Sequence, residues 1–169
     1  MHIIIDGYNL IRQSPGLSLL DASDLEAGRE ALLESLAAYR RCRPGHQLTV
    51  VFDGWQGGEL KETRGVIQGV KVIFSRRGER ADEVIKRLLA KERQRALVVS
   101  SDRELQISAD RVGAIWVTAN HFETAYLRAN PEETGEGADD HPRPGTQKKG
   151  PARRPSKRER QRQQRLKKL

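Results

Sequence analysis

A chain of 169 residues, 36% hydrophobic and 5% aromatic, has material for one packed domain and an appendage, not for two domains of ordinary size. Its formal charge of +8 is split: Met1 to Asp140 carries 19 Lys/Arg against 22 Asp/Glu (−3), and His141 to Leu169 carries 12 against 1 (+11). A single cysteine, Cys42, excludes an internal disulfide and a thiolate zinc site, and no run approaches the ~18 apolar residues of a membrane span, so neither a membrane role nor an oxidising compartment is expected. With no secretory leader at the N-terminus, the expected location is cytoplasmic.

In chain order, residues 2–6 form a short β-branched apolar run that reads as a buried strand ended by Asp6-Gly7. Ser14-Pro15-Gly16 marks a loop. Leu25, Leu32, Leu33, Leu36 and Tyr39 share one helical face, with Ser23 and Glu26 as a capping box and Pro44-Gly45 as the stop. The run 48–52 is continuous in apolar residues and predicts a parallel strand covered on both faces. Residues 54–69, with Gly54, Gly57, Gly58, Gly65 and Gly69, predict a long loop with a mobile tip. Val70 to Phe74 is a third strand with the alternation of an edge. Val84, Ile85, Leu88 and Leu89 repeat at helical spacing after Arg76-Arg77-Gly78-Glu79-Arg80. A strand at 96–100, a helix near 103–111, a strand at 114–117 and a helix over about 121–130, ended by Pro131, complete the alternation. Five strands interleaved with helices predict a doubly wound α/β sheet, mainly parallel.

Past Pro131 apolar residues nearly vanish, so residues 131–169 are expected to form a disordered basic tail beside a domain of residues 1–130. Lys148, Lys149, Arg153 and Arg154 in that tail can neutralise phosphates, but with no aromatic residue among them they have little means of reading bases. A solubilising role is the plain alternative.

The chemistry concentrates in four acids. Asp6, Asp53 and Asp102 each close a strand, and Asp82 opens a helix. Ligands of open parallel sheets bind beyond the carboxyl ends of the strands, where these side chains can converge. Taken singly, Asp6-Gly7 and Asp53-Gly54 also read as turn dipeptides, Asp82 as a helix-opening acid and Asp102 as an N-cap. Taken together they suit Mg²⁺ or Mn²⁺, held by a few carboxylates and several waters, and hence metal-assisted hydrolysis of a phosphodiester. Asn9 and Ser100-Ser101 stand beside these acids in sequence, where they can steady a ligand or bond a phosphate. Arg76, Arg77, Arg80 and Arg103 flank the acids and can position a phosphate backbone; each also reads as an ordinary solvated charge. Trp55 can stack on a base or fold back on the sheet. His2, His46, His121 and His141 lack ligand spacing, and no glycine-rich nucleotide loop is present, so a nucleotide cofactor is not expected.

The run Ile3-Ile4-Ile5-Asp6-Gly7-Tyr8-Asn9-Leu10-Ile11, followed by Val51-Phe52-Asp53-Gly54, Ala81-Asp82-Glu83 and Val99-Ser100-Ser101-Asp102, resembles the NYN domain in its YacP-like branch. The resemblance covers about residues 1–130 and leaves the tail outside the motifs. It implies a three-layer PIN-like fold around a central, mainly parallel five-stranded sheet, an acidic pocket of Asp6, Asp53, Asp82 and Asp102 with Asn9 nearby and Glu83 as a supplement, and Mg²⁺-dependent ribonuclease activity. It also implies a role in RNA turnover or processing, with the ribosome as a partner. The resulting expectation is an endoribonuclease that cuts single-stranded RNA to a 5′-phosphate and a 3′-hydroxyl. Its rivals are a non-catalytic RNA- or ribosome-binding module of the same fold and a DNA nuclease with the same pocket.

Overall fold

A computed structural model describes residues 1–54 and 59–127, together with the isolated positions Arg160, Gln163, Gln164 and Leu166. The chain divides by contact into Met1–Ala129 and Asn130–Leu169. Within the first unit the elements run β1 (His2–Asp6), α1 (Gly7–Gln13), α2 (Pro15–Ser23), α3 (Leu25–Cys42), β2 (Gln47–Phe52), β3 (Thr63–Ile67), β4 (Val70–Phe74), α4 (Ala81–Glu92), β5 (Ala96–Val99), α5 (Arg103–Val112), β6 (Ile115–Val117) and α6 (Ala119–Phe122), which passes into a π turn at Glu123–Leu127.

The sheet has six strands in the order β3-β4-β2-β1-β5-β6, parallel except for the β3–β4 pair. From β1 the chain builds outward through β2 and β4, then returns to place β5 on the other flank of β1. The strand order therefore reverses between β1 and β5, and a crevice opens at their carboxyl ends. Alternation along β1 feeds two cores. Ile4, with Val51, Ile73 and Val98, packs under Val84, Ile85 and Leu89 of α4 and Leu105 and Ala109 of α5. Ile3, Ile5, Val50 and Phe52 are as completely buried, beside the equally buried Leu10, Ile11, Leu32, Leu36 and Phe122 of the helices α1, α3 and α6. Each such side chain contributes about 1.5–3 kcal/mol by leaving water.

Three local expectations are corrected. The segment 54–69 is not all loop, because Thr63–Ile67 forms β3 and makes a hairpin with β4; all five residues of β3 are exposed, so no alternation betrays it. Its two turn residues, Gln68 and Gly69, both have positive φ (47° and 82°), as a tight two-residue hairpin turn requires. With β3 outside it, β4 is an interior strand rather than an edge. Second, Ser14-Pro15-Gly16 opens a helix: Ser14 caps α2 through its Oγ, and Pro15 sits in the first turn, where its missing N–H costs nothing. Third, α3 is capped by Asp24, which accepts from the Glu26 N–H at 2.8 Å, and not by Ser23.

Candidate active site

Asp6 ends β1 and caps α1, with Oδ1 accepting from the Asn9 N–H at 3.2 Å. Its Oδ2 accepts from Ser100 Oγ at 3.2 Å, a bond thrown across the crevice between β1 and β5. The register explains the meeting: Ile5 pairs with Val99, so the next residues, Asp6 and Ser100, leave the sheet at one level. Ser100 Oγ also accepts from the Asp102 N–H at 3.1 Å, and Asp102 in turn caps α5 by accepting from the Glu104 N–H at 2.7 Å. Asn9 closes the same crevice from the other side, its Oδ1 accepting from the Ser101 N–H at 2.9 Å. Asn9 and Ser100 thus hold two of the acids in place.

Asp82 lies in the first turn of α4, 8% exposed, with Arg80 Nη2 at 3.4 Å from Oδ2. The three acids feel one another. Burial pushes the Asp6 carboxyl up to about 6, and the charges of Asp82 and Asp102 push in the same direction, against the Asn9 and Ser100 hydrogen bonds. Asp82 is likewise raised, by burial first and then by Asp102 and Glu104, against the pull of Arg80. Asp6, Asp82 and Asp102 therefore lie within electrostatic reach of one another; Asp102 is also the helix cap of the plainer reading, and Asp6 caps a helix where that reading had a turn.

Asp53 follows β2. Asp6 pairs with Val51 and stands level with Ser100, so Asp53 and Asp102 each lie two residues, about 6–7 Å, farther along the chain than that level. The following backbone is tied toward β4, with the Gly54 N–H donating to Ser75 Oγ at 2.9 Å and Ser75 Oγ donating to the Glu79 carbonyl at 2.6 Å.

Arg76, Arg77, Arg80 and Arg103 are all exposed. Arg80 leans on Asp82, Arg76 pairs with Glu79 at 3.5 Å, and the Arg77 N–H donates to the Glu59 carbonyl. Arg103 opens α5 directly after Asp102. Glu83 pairs with Lys86 at 3.1 Å. Trp55 and the tail residues Lys148, Lys149, Arg153 and Arg154 lie outside the described residues. One feature escaped sequence reasoning: Gly7 is helical rather than a turn glycine, and a Cβ there would stand 2.4 Å from Phe52 Cε1, so only glycine lets α1 start against the end of β2.

Among the described residues no three His, Cys, Asp or Glu side chains stand close enough to form a ready metal cage. The donors still fit a hard dication in kind. All are carboxylate oxygens, two are raised toward protonation by burial and mutual repulsion, and a divalent ion relieves both. Mg²⁺ takes one or two carboxylates directly and keeps several waters, so spaced acids suit it better than a closed cage.

Comparison with known proteins bears on the family and the fold. The family model of the YacP-like NYN domain matches residues 3–169, so the family's span runs through the tail that the sequence motifs left out. The chain is 38% identical over 88 residues to the uncharacterized protein YacP of Bacillus subtilis (strain 168), a match covering 51% of this chain and 49% of that one; it spans about half the length of that relative. The crystal structure of Rae1 (YacP) from Bacillus subtilis is similar over 75% of this chain and 73% of its own, at 29% identity and a TM-score of 0.60. The crystal structure of a mutant of that same protein is similar over 75% and 74%, at 28% identity and the same TM-score. The fold is thus of the PIN-like nuclease type, with six strands where five were expected.

Proposed function

The chain belongs to the YacP-like NYN family, and from that premise we propose that it is a metal-dependent endoribonuclease that cuts single-stranded RNA at the crevice between β1 and β5. The observation that supports this most is the placement of Asp6 after β1, Asp82 in the first turn of α4 and Asp102 at the cap of α5, at the switch point of the sheet, where Asp6 and Asp82 are both raised by burial. Buried like charges are costly, and they persist where a cation is to be held.

Asp6, Asp82 and Asp102 would hold Mg²⁺ or Mn²⁺, with Asp53 at the margin; such an ion, when bound, supplies Lewis-acid stabilisation of charge on phosphorus and activates water as the nucleophile. The chain's own residues do the rest. Ser100 and Asn9 fix the Asp6 carboxylate and the β5–α5 turn, so the acids need no reorganisation when substrate arrives. Arg80 offsets charge on Asp82 in the free protein and is exposed enough to swing to a phosphate. Arg76, Arg77 and Arg103 extend the cationic rim. Attack by water activated in this way gives products that carry a 5′-phosphate and a 3′-hydroxyl. The tail adds affinity for RNA, and the ribosome is the proposed setting in the cytoplasm.

The test is cleavage of an end-labelled single-stranded RNA with Mg²⁺, with EDTA, and with Asp82→Asn. Asp82→Asn is expected to lose on the order of 100-fold or more in kcat while binding RNA as before, since electrostatic groups at a reacting centre carry effects of that size. Unchanged cleavage in the variant would remove the proposal. Tight binding with no turnover, alone or with ribosomes, would favour the binding-module reading.

A further inference from the structure

Several guanidinium groups have no carboxylate partner among the described residues, and two of them, Arg12 and Arg29, lie against aromatic rings on the α1–α3 side of the site. Arg64, Arg76, Arg80, Arg87 and Arg95 each have an acidic partner within ion-pair distance. Arg12 and Arg29 have none among the described residues; their neighbours are aromatic. The Arg12 guanidinium, at the end of α1, lies 5.8 Å from the centre of the Tyr8 ring. The half-buried Arg29, from α3, lies 5.6 Å from the centre of the Phe74 ring, and its Nη1 donates to Tyr8 Oη at 3.3 Å. A half-buried guanidinium that keeps only ring faces and one phenol oxygen retains most of its donor fork for an anion.

The rings beneath them form a ledge along the carboxyl ends of three strands. Tyr8 follows β1, Phe52 ends β2 and Phe74 ends β4. Tyr8 meets Phe52 edge-on at 5.3 Å, and Phe52 stacks on Phe74 at 5.4 Å. Phe52 is wholly buried and acts as the support, while Tyr8 and Phe74 are half-exposed. The ledge ends two residues from Asp6. Carboxylates are gathered on the other side, at α4 and α5; here positive charge sits on aromatic faces, the combination that suits a nucleic-acid strand, with phosphates on the cations and a base or ribose on the ring.

We propose that Arg12 and Arg29 bind phosphates of a single RNA strand and that Tyr8, held by Arg29, orients that strand toward Asp6. The role of Asp6 here rests on the nuclease reading; the strand-binding role does not. A duplex is a poorer fit, because its bases are not free to meet the Tyr8 ring.

The experiment uses the full-length protein and a short fluorescent single-stranded RNA. In EDTA, where cleavage is blocked, anisotropy is measured over a range of salt for the wild type, the double variant Arg12→Gln/Arg29→Gln, and Asp82→Asn as control. Loss of two phosphate contacts is expected to lower affinity several-fold and to reduce the log–log salt slope by about 1.4, at roughly 0.7 per phosphate on a single strand. With Mg²⁺, the double variant is expected to raise KM several-fold while kcat holds. Arg29→Lys should recover only part of the loss, since lysine keeps the charge but not the planar fork. Tyr8→Phe keeps the ring against Phe52 and removes the oxygen that Arg29 binds, so a smaller rise in KM is expected, with an unchanged melting curve. An unaltered slope and affinity in the double variant would overturn the proposal, as would a fall in kcat at constant KM. Wild-type protein that never cleaves, with the slope still reduced in the variant, defeats the nuclease reading and upholds the strand site.

Discussion

Asp6 shows how a single side chain can serve the site at the expense of the fold. Its carboxyl is raised from 3.8 to about 6, chiefly by burial. Folded protein therefore binds its proton more tightly than unfolded protein does. The stability it contributes is fully present below about pH 4 and is lost as pH rises through about 6. Asparagine at this position keeps an acceptor for the Asn9 N–H and a partner for Ser100 Oγ, without the buried charge. Asp6→Asn is thus expected to stabilise the metal-free protein at neutral pH by about 2 kcal/mol, the two-unit shift converted at 1.36 kcal/mol per unit and discounted for the weaker hydrogen bonds. Thermal melts in EDTA should show the variant several degrees higher at neutral pH and level with the wild type in mild acid. Equal melting points at neutral pH would mean that Asp6 carries no such burden. That Asp6 and Asp102 stand at one edge of the sheet was legible in the sequence, because each follows an apolar run and strands of a parallel sheet end on one side; that Asp102, the cap of α5, lies three residues past β5 was not. The tether that draws the backbone after Asp53 toward β4, through the Gly54 N–H and Ser75 Oγ, was not legible either, since it leaves no residue pattern.

At the level of elements, β1 is joined to its surroundings at both ends, and the far end predicts an opposite pH response. His2, buried at the start of the strand, shares a hydrogen bond between Nε2 and Thr49 Oγ1 of β2 at 2.8 Å, and its Nδ1 lies 3.6 Å from Glu92 at the end of α4. Burial holds its pKa below 6.5, outweighing Glu92. Unfolded chains bind the proton more readily, so the stability from neutral His2 is present above 6.5 and is lost as pH falls through the folded value. Between about pH 8 and about pH 5 the wild type should lose more stability than His2→Gln, a difference read from paired denaturant titrations that cancels the contribution of Asp6. A parallel decline in the two proteins would sink this account. Why some elements could be read and others not has a common cause. β1 and β2 are buried on both faces and so print continuous apolar runs, while β4 and α4 bury a face and print a period. β3 buries none, and α1 and α2 are short and begin at residues, Gly7 and Pro15, that ordinarily mark turns. Gly7 is there for clearance from Phe52, a reason visible only once β2 lies beside it.

Over the whole molecule, charge is partitioned between two segments, and on the proposed reading attraction belongs to one and chemistry to the other. The body is net −3 and collects its acids at the crevice, while the last 29 residues carry +11. A mildly acidic body repels RNA within the ~10 Å screening length of dilute salt, and on the proposed reading the cationic tail offsets this by supplying capture. If so, capture and cutting are separable. Replacing Lys148, Lys149, Arg153 and Arg154 by Gln removes four charges, leaving +7 of the tail's +11. The log–log salt slope for a long single strand should then fall by up to about 2.8, at roughly 0.7 per phosphate released. Turnover at saturating RNA should be unchanged, because none of the four belongs to the acidic cluster. The loss should also be general across sequences, as contacts to phosphate carry no base information. A drop in kcat would place the tail in the catalytic geometry, and an unchanged slope would leave it as a solubilising extension. That second outcome would shift the task of holding RNA onto Arg12, Arg29 and the exposed rim of Arg76, Arg77 and Arg103.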